Sequence, residues 1–168
     1  MNPFSTHIPI LLVCLRHTTG PVLELGSGWF STPVLSAFAT GRLVRTVETN
    51  PEWHSRITQI STYQPITSHR HQVVFVPDYN DAPMDDHDWS IVFLDHEPPP
   101  RRGVDAARLR ERIQLIVGHD SEHPDYGYDP VFEQFKYRFT YSRMMPWTTV
   151  VSDTDPLDWF DDALKPLW

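Results

Sequence analysis

The sequence predicts an α/β fold, a three-layer sandwich in which a mostly parallel seven-stranded sheet ends in a C-terminal antiparallel hairpin. Seven short runs rich in apolar and β-branched residues are typical of strands buried on both faces of a sheet. Helix-compatible stretches lie between most of these runs, as in βαβ units with right-handed crossovers. Residues 142–147 alone separate the last two runs, a gap that suits an antiparallel hairpin.

The elements follow in order along the chain. The predicted strands cover residues 21–25, 43–49, 72–76, 90–94, 114–117, 137–141 and 148–152, and the predicted helices cover 32–39, 51–60, 104–113 and 130–135. Polar residues mark three helix starts: Ser31, Asn50 and Asp129 each precede a proline near the first turn. Such side chains accept hydrogen bonds from the free N–H groups of a first turn, so all three are predicted N-caps.

Length and charge restrict the class of protein. At 168 residues the chain is predicted to be a single domain, 1–168, with an N-terminal packing segment at 1–18 and a C-terminal tail at 153–168. It carries 14 Lys and Arg against 22 Asp and Glu, a net charge of −8. A net anion repels phosphate backbones, so a small-molecule substrate is favoured over nucleic acid. The chain has little room for a substrate lid, and a homodimer is the predicted way to supply one.

The N-terminal apolar run, residues 8–15, is too short to span a membrane, and no Lys or Arg precedes it. We expect it to pack on the domain, with no membrane partner. It contains Cys14, the single cysteine, which excludes an internal disulfide and a Cys-rich zinc site. Cys14 is therefore predicted to be a core residue, and the expected location is cytoplasmic.

The most informative stretch follows the first predicted strand. Gly26, Ser27 and Gly28 connect that strand to the first helix, where glycines let the backbone turn sharply and approach a ligand. Glu48 ends the next strand, 48 − 28 = 20 residues beyond Gly28, and a carboxylate there can accept hydrogen bonds from both ribose hydroxyls of a nucleoside. A plain tight turn and a surface carboxylate are the alternative explanations. A dinucleotide fingerprint is broken, because Ser31 stands where the third glycine is required, and no P-loop motif is present.

Glu24-Leu25-Gly26-Ser27-Gly28 after a strand, with Glu48 ending the next, resembles the cofactor site of class I S-adenosylmethionine-dependent methyltransferases. The resemblance covers residues 21–152 and implies the same seven-stranded sheet. It implies S-adenosylmethionine as cofactor, with the glycine loop facing the methionine part and Glu48 facing the ribose. The cofactor-binding residues implied in this way are Glu24, Gly26, Ser27, Gly28, Glu48, Asp78 (at the adenine) and Asp95 (near the sulfonium or the acceptor).

Two polar loops follow the fourth and fifth predicted strands and should meet at the carboxyl edge of the sheet. His96 and His119 are the candidate general bases, and Asp120 is predicted to orient one of them. Hydrogen bonding of these side chains to their own loops is the alternative. Asp95 with Asp120 could also hold Mg²⁺ as in catechol-type methyltransferases, but Ser121 replaces the usual Asn, so a divalent metal is not favoured.

After His96 comes a proline run, residues 98–100, which is predicted to be stiff and extended. It would hold Arg101 and Arg102 either over the site, against an anionic substrate, or in solvent.

The predicted function is therefore an S-adenosylmethionine-dependent methyltransferase that acts on an oxygen or nitrogen of a small-molecule acceptor. Two alternatives stay open. One is an enzyme that cleaves S-adenosylmethionine on the same fold, and the other is a non-catalytic nucleoside-binding or interaction module.

Overall fold

A seven-stranded sheet organises the structure, a computed structural model that describes residues 2–60 and 70–165. Its strands are β1 (Val22–Leu25), β2 (Val44–Glu48), β3 (His71–Phe75), β4 (Trp89–Leu94), β5 (Ile113–His119), β6 (Tyr137–Tyr141) and β7 (Thr148–Ser152). Their spatial order is β3-β2-β1-β4-β5-β7-β6. Strands β1 to β5 are parallel, and β7 pairs antiparallel with both β5 and β6. The predicted fold class is confirmed.

The strand order reverses beside β1, which creates a crevice at the carboxyl edge of the sheet. The register fixes what meets there, because Leu25 at the end of β1 is level with Val47 in β2 and Leu94 in β4. Residues that follow these three positions therefore emerge side by side. Glu48, Gly26 and Asp95 are those residues.

Helices cover both faces of the sheet and make it a three-layer sandwich. They are α1 (Ile8–His17), α2 (Ser31–Phe38), α3 (Pro51–Ile60), α4 (Arg101–Leu109), α5 (Asp129–Phe132) and α6 (Trp159–Ala163). Successive strand residues point to opposite faces, so Phe93 joins one buried cluster and Leu94 the other. The Phe93 cluster includes residues of α1, α2 and α6; the Leu94 cluster includes residues of α4 and α5.

Residues of α1 and α6 pack in the first of these clusters. Ile10, Leu11 and Cys14 of α1 are fully buried in it, and so is Phe160 of α6. The free thiol of Cys14 is thus a core residue. Leu167 and Trp168 of the predicted tail lie outside the described residues. No described helix combines the length and the apolar character needed to cross a membrane.

Two of the three predicted N-caps are wrong. Asn50 is a cap, since its side-chain oxygen accepts hydrogen bonds from the N–H groups of Glu52 and Trp53 at 2.9 and 3.2 Å. Ser31 and Asp129 instead lie inside the first turns of α2 and α5, because each helix begins one residue earlier than predicted.

The proline run before α4 also differs from the prediction, because it turns instead of extending. The N–H of Arg101 donates to the carbonyl of Pro98 at 3.0 Å, and Pro100 has φ −65° and ψ −17°. Since the φ of proline suits a first helical turn, the run starts α4 at Arg101. The helix then ends at Leu109 and β5 begins at Ile113.

Candidate active site

The glycine loop, residues 26–30, leaves β1 through a backbone position that only glycine tolerates. Gly26 has φ +86°, in the left-handed region that favours glycine. A Cβ on Gly26 would lie 2.6 Å from the carbonyl oxygen of Asp95 and 2.7 Å from the Cα of His96. Its N–H meanwhile donates to the carbonyl of Val47 at 2.9 Å. Gly26 therefore lets the loop pass directly against the ends of β2 and β4.

Glu48 converges on the same loop. Its Oε2 accepts hydrogen bonds from the backbone N–H of Ser27 at 2.9 Å and from the Ser27 hydroxyl at 2.7 Å. Its Oε1 accepts from the N–H of Asn50 at 2.7 Å. The structure thus brings Glu48 and the glycine loop together at the crevice.

A buried network supports the loop from beneath. The N–H of Gly28 donates to the Thr32 hydroxyl, which donates to Oε2 of Glu24 at 2.8 Å. The Thr46 hydroxyl donates to the same oxygen at 2.6 Å, and the Thr46 oxygen accepts from Nε2 of His71 at 2.9 Å. Glu24 is fully buried, so the structure places it under the loop and not on its ligand-facing side. Burial, only partly offset by these hydroxyls, raises the pKa of Glu24 to about 7.

The raised pKa of Glu24 predicts a stability loss on going from acid to neutral pH. Between its usual pKa near 4.5 and about 7, the folded state holds a proton that the unfolded state releases. The free energy of unfolding should therefore fall by about 3 kcal/mol between pH 4.5 and 8 through this group. We expect Glu24→Gln, which keeps an acceptor for both hydroxyls but cannot ionise, to lose this component. Urea unfolding of both proteins across that range is the measurement, with the exposed Glu52→Gln as control. Parallel pH profiles for wild type and Glu24→Gln would contradict the prediction.

A second cluster lies at the ends of β4 and β5. Nδ1 of His119 lies 3.3 Å from Oδ1 of Asp95 and 3.6 Å from Oδ1 of Asp120. Arg102 is buried and ties both carboxylates together, with 3.1 Å to Asp95 and 2.9 Å to Asp120. Burial of Asp95 opposes its ionisation, but the hydrogen bond from His119 and the charges of His119 and Arg102 hold its pKa below the usual value. Asp120, predicted to orient a histidine, makes its shorter contact with Arg102.

His96 and Asp78 take other positions. The His96 side chain is sealed from solvent, with Nε2 3.0 Å from Oδ2 of Asp105 and its ring packed on Tyr79. It therefore does not reach the crevice. Asp78 is exposed, accepts a hydrogen bond from the N–H of Asn80 at 2.7 Å and lies 3.6 Å from Arg101.

Strand alternation explains why His119 and His96 differ. Asp95 points to the same face of the sheet as Phe93, toward α1. His96 points to the opposite face, as Leu94 does, toward α4. Gly118 faces Tyr128 and Phe132 near α5, so the next residue, His119, turns to the α1 side. This period of two is the sequence signal that separates the two histidines.

A cavity of about 480 Å³ opens between the glycine loop, the β4 and β5 ends and the N-terminal segment. This volume lies in the usual range for small-molecule sites, about 300–1,000 Å³. Side chains on its wall include Ser27, Trp29, Asp95, Arg102, His119 and Asp120. A shallower hollow beside it is lined by Thr49, Asn50 and Glu97, on the Glu48 side.

Three cavity residues come from the N-terminal segment, where nothing in the sequence marks a site. Pro3, Phe4 and His7 line the cavity. Thr6 lies beside them, with its hydroxyl 3.1 Å from Nε2 of His119. The segment is predicted only to pack on the domain. A single histidine before an apolar run carries no signal that it will cross the carboxyl edge of a distant sheet, because only tertiary packing brings it there.

The sheet order, with five parallel strands and an antiparallel C-terminal pair, is the α/β Rossmann-like fold that solved methyltransferase structures have. Known structures share it. The chain is similar to the human methyltransferase 10 domain containing protein, with 15% identity, a TM-score of 0.64, and coverage of 91% of this chain and 83% of that one. It is similar to the N-terminal domain of human METTL16 in complex with SAH, with 13% identity, a TM-score of 0.63, and coverage of 92% and 72%. A candidate O-methyltransferase from Klebsiella pneumoniae gives 14% identity, a TM-score of 0.66, and coverage of 87% and 78%.

No family model matches the sequence, and no curated protein matches it. The likeness is therefore one of fold.

Proposed function

We propose that the chain is an S-adenosylmethionine-dependent methyltransferase that acts on an oxygen or nitrogen of a small-molecule acceptor. The observation that carries the proposal is the Glu48 carboxylate held on the glycine loop, at the switch point of the sheet and beside a cavity of about 480 Å³. S-adenosylmethionine, when bound, supplies a methyl group already activated on its sulfonium. The task of the protein is then mainly to position an acceptor.

The residues present fit this cofactor. A carboxylate offers about four lone-pair sites. Three of the lone-pair sites on Glu48 accept hydrogen bonds from protein donors, which leaves one site for a ribose hydroxyl. If the Ser27 hydroxyl rotates away from Oε2, a second site on the carboxylate becomes available to the other ribose hydroxyl. Gly26, where a Cβ would collide with the β4 end, keeps the loop close enough for its backbone to contact the methionine part. Glu24, Gly26, Glu48 and Asp78 all lie outside the two cavity walls. Asp78 is the weakest member of the predicted set, because it is exposed and contacts Asn80 and Arg101 instead of the glycine loop.

The acceptor would lie at the wall formed by Asp95, His119 and Asp120. Of the two predicted bases, His119 lines the cavity and His96 does not, so we assign the acceptor-facing role to His119. Asp95 orients His119 through the 3.3 Å contact at Nδ1, and Asp120 holds Arg102 in place.

The cavity mouth favours a flat, apolar acceptor. Phe4, Trp29, Trp53 and Tyr126 line it, and Phe4 and Trp29 are 72% and 47% exposed. Trp29 and Trp53 form an edge-to-face pair with ring centroids 5.7 Å apart. Aromatic side chains of this kind stack on planar ligands and also stabilise a cation such as the sulfonium.

Glu48→Gln tests the cofactor site. We expect calorimetric titration of the wild-type chain with S-adenosylmethionine and with S-adenosylhomocysteine to show binding of both. Glu48→Gln should weaken binding about tenfold or more, because a hydrogen bond to a charged group contributes about 1.5–3 kcal/mol. Glu133→Gln, at an exposed position after α5 and outside both cavity walls, is the matched control and should bind like wild type. Absence of binding by the wild-type chain would end the proposal.

Product analysis by mass spectrometry then separates the rival functions. Methylated acceptor supports the transferase. Cofactor breakdown without any acceptor indicates a cleaving enzyme, and binding with no turnover indicates a binding module. The cytoplasmic location and the homodimer remain predictions, and light scattering measures the latter.

A further inference from the structure

Three potential metal ligands meet at the cavity wall from separate parts of the chain. They are His7, just before α1, Asp95, just after β4, and His119, at the end of β5. One ligand atom from each lies within 4.8 Å of the other two. His7 and His119 are 1% and 2% exposed, and all three residues line the cavity. All three also share the face of the sheet that carries α1.

His7 is the unusual member. Neither Nδ1 nor Nε2 has a hydrogen-bond partner among the described residues, although both atoms are buried. Its ring packs on Phe93 and on His119, with centroids 4.8 and 4.7 Å apart. A buried polar group without a hydrogen-bond partner is destabilising, so both nitrogens of His7 are available to a bound partner. An imidazole with a free lone pair beside a histidine and a carboxylate is suited to bind a metal ion.

The hydrogen bonds of His119 point to the same place. Its Nε2 lies 3.1 Å from the Thr6 hydroxyl, which also lies 2.8 Å from the carbonyl of Pro146. Its Nδ1 lies 3.3 Å from Oδ1 of Asp95 in the cavity wall, so a cation at Nδ1 can join the imidazole to the carboxylate.

We propose that His7, Asp95 and His119 form a binding site for a divalent transition metal ion of the zinc type. Two imidazole nitrogens with one carboxylate suit zinc and its neighbours, whereas Mg²⁺ and Ca²⁺ prefer oxygen ligands. Tetrahedral zinc with bonds of about 2.0–2.1 Å places its ligand atoms about 3.4 Å apart. The ligand atoms here lie within 4.8 Å of one another, so side-chain rotations that move each of them by about 1 Å bring them to bonding distance.

The surroundings tolerate the added charge. Asp95, Glu97 and Asp120 carry three negative charges and Arg102 one positive charge, so the cavity wall has a net charge of −2 with both histidines neutral. A divalent ion changes this to 0. This site differs from the Asp95 and Asp120 magnesium pair considered from the sequence, because its nitrogen ligands come from His7 and His119. The remaining coordination positions face the cavity, where the ion would polarise an acceptor hydroxyl or amine.

The test measures metal binding without the cofactor. The 168-residue chain is treated with a chelator and titrated with Zn²⁺ by calorimetry, and bound zinc is counted by elemental analysis. We expect one ion per chain, a raised Tm with Zn²⁺ and no such rise with Mg²⁺. His7→Ala should weaken zinc binding by more than about 100-fold, because losing even an outer partner of a ligand costs 10–100-fold. Its metal-free Tm should fall, since the buried His7 ring packs on Phe93 and His119, so zinc binding is compared at a temperature where both proteins are folded.

Two histidines outside the cavity wall serve as controls. His17→Ala, in α1 and stacked on Trp159, and His123→Ala, on the surface, should bind zinc like wild type. Co²⁺ is a second probe: its visible absorption bands should be present in wild type and lost in Asp95→Asn. No stoichiometric zinc, or zinc binding unchanged in His7→Ala, would overturn the proposal. Repeating the cofactor titration on the chelator-treated chain tests S-adenosylmethionine binding without zinc, so the metal site and the proposed transferase function can fail independently.

Discussion

Gly26→Ala should abolish cofactor binding and reduce the free energy of unfolding by more than about 4 kcal/mol. Two effects add at this position. A left-handed conformation costs a non-glycine residue about 1–2 kcal/mol, and the added Cβ meets backbone atoms of Asp95 and His96 at 2.6–2.8 Å. Backbone at the end of a central strand cannot move aside as a flexible side chain does. Changes this large are exceptional and arise only from a few mechanisms such as this one.

Two other glycines separate these effects. Gly41 also has a positive φ, +79°, but a Cβ there meets only an arginine nitrogen at 3.5 Å, so Gly41→Ala should cost about 1–2 kcal/mol and leave cofactor binding intact. In Gly28→Ala the Cβ meets only the Ser31 hydroxyl, at 2.9 Å, a side-chain atom that can rotate away. Urea unfolding and calorimetric titration of the three variants are the measurements. If Gly26→Ala behaves like Gly41→Ala, the loop does not depend on its close approach to β4.

Arg102→Met should destabilise the fold by about 3–5 kcal/mol, the usual cost of leaving buried charges unpaired. Arg102 is 3% exposed. Its guanidinium pairs with Asp95 and Asp120, donates to the carbonyls of His96 and His119 at 2.7 and 3.2 Å, and lies 4.2 Å from the Tyr126 ring centroid. Methionine fills similar volume but donates nothing, so two carboxylates and two carbonyls lose their partner.

A double variant and a surface control separate the effect of the buried charges from the loss of an ordinary ion pair. Adding Asp120→Asn to Arg102→Met removes one of the stranded charges and should recover part of the loss. Arg108, which pairs with Asp85 at the surface, is the matched control, and Arg108→Met should cost about 1 kcal/mol or less. Equal losses for Arg102→Met and Arg108→Met, measured by urea unfolding, would show that the buried network contributes no more than a surface pair.

The position of the crevice could be predicted from the sequence. Apolar runs, the glycines after the first of them and the acid at the end of the second indicate a parallel sheet and its ligand edge. Glu48 ends one buried strand and Asp95 directly follows another, and both reach that edge because parallel strands end together. Even the separation of His119 from His96 follows from the alternation of strand residues, once the strand ends are known. The sequence did not predict that β5 ends at His119, two residues beyond the predicted boundary.

Other features required the folded chain. Arg102 could equally have pointed to solvent, and its place between Asp95 and Asp120 depends on the turn at residues 98–100 that starts α4 early. Glu24 belongs to the recognised motif, yet its side chain points beneath the loop, because a strand residue can face either layer.

The sequence by itself determined the sheet, the glycine loop and the position of Glu48 at the end of the neighbouring strand. Strand periodicity and the conformational freedom of glycine are local properties, so they can be recognised in the sequence. Only the tertiary structure decided that His7 crosses to His119 and that Arg102 is buried between two carboxylates. Contacts between residues far apart in the chain depend on how helices pack against the sheet, and no local pattern encodes that packing.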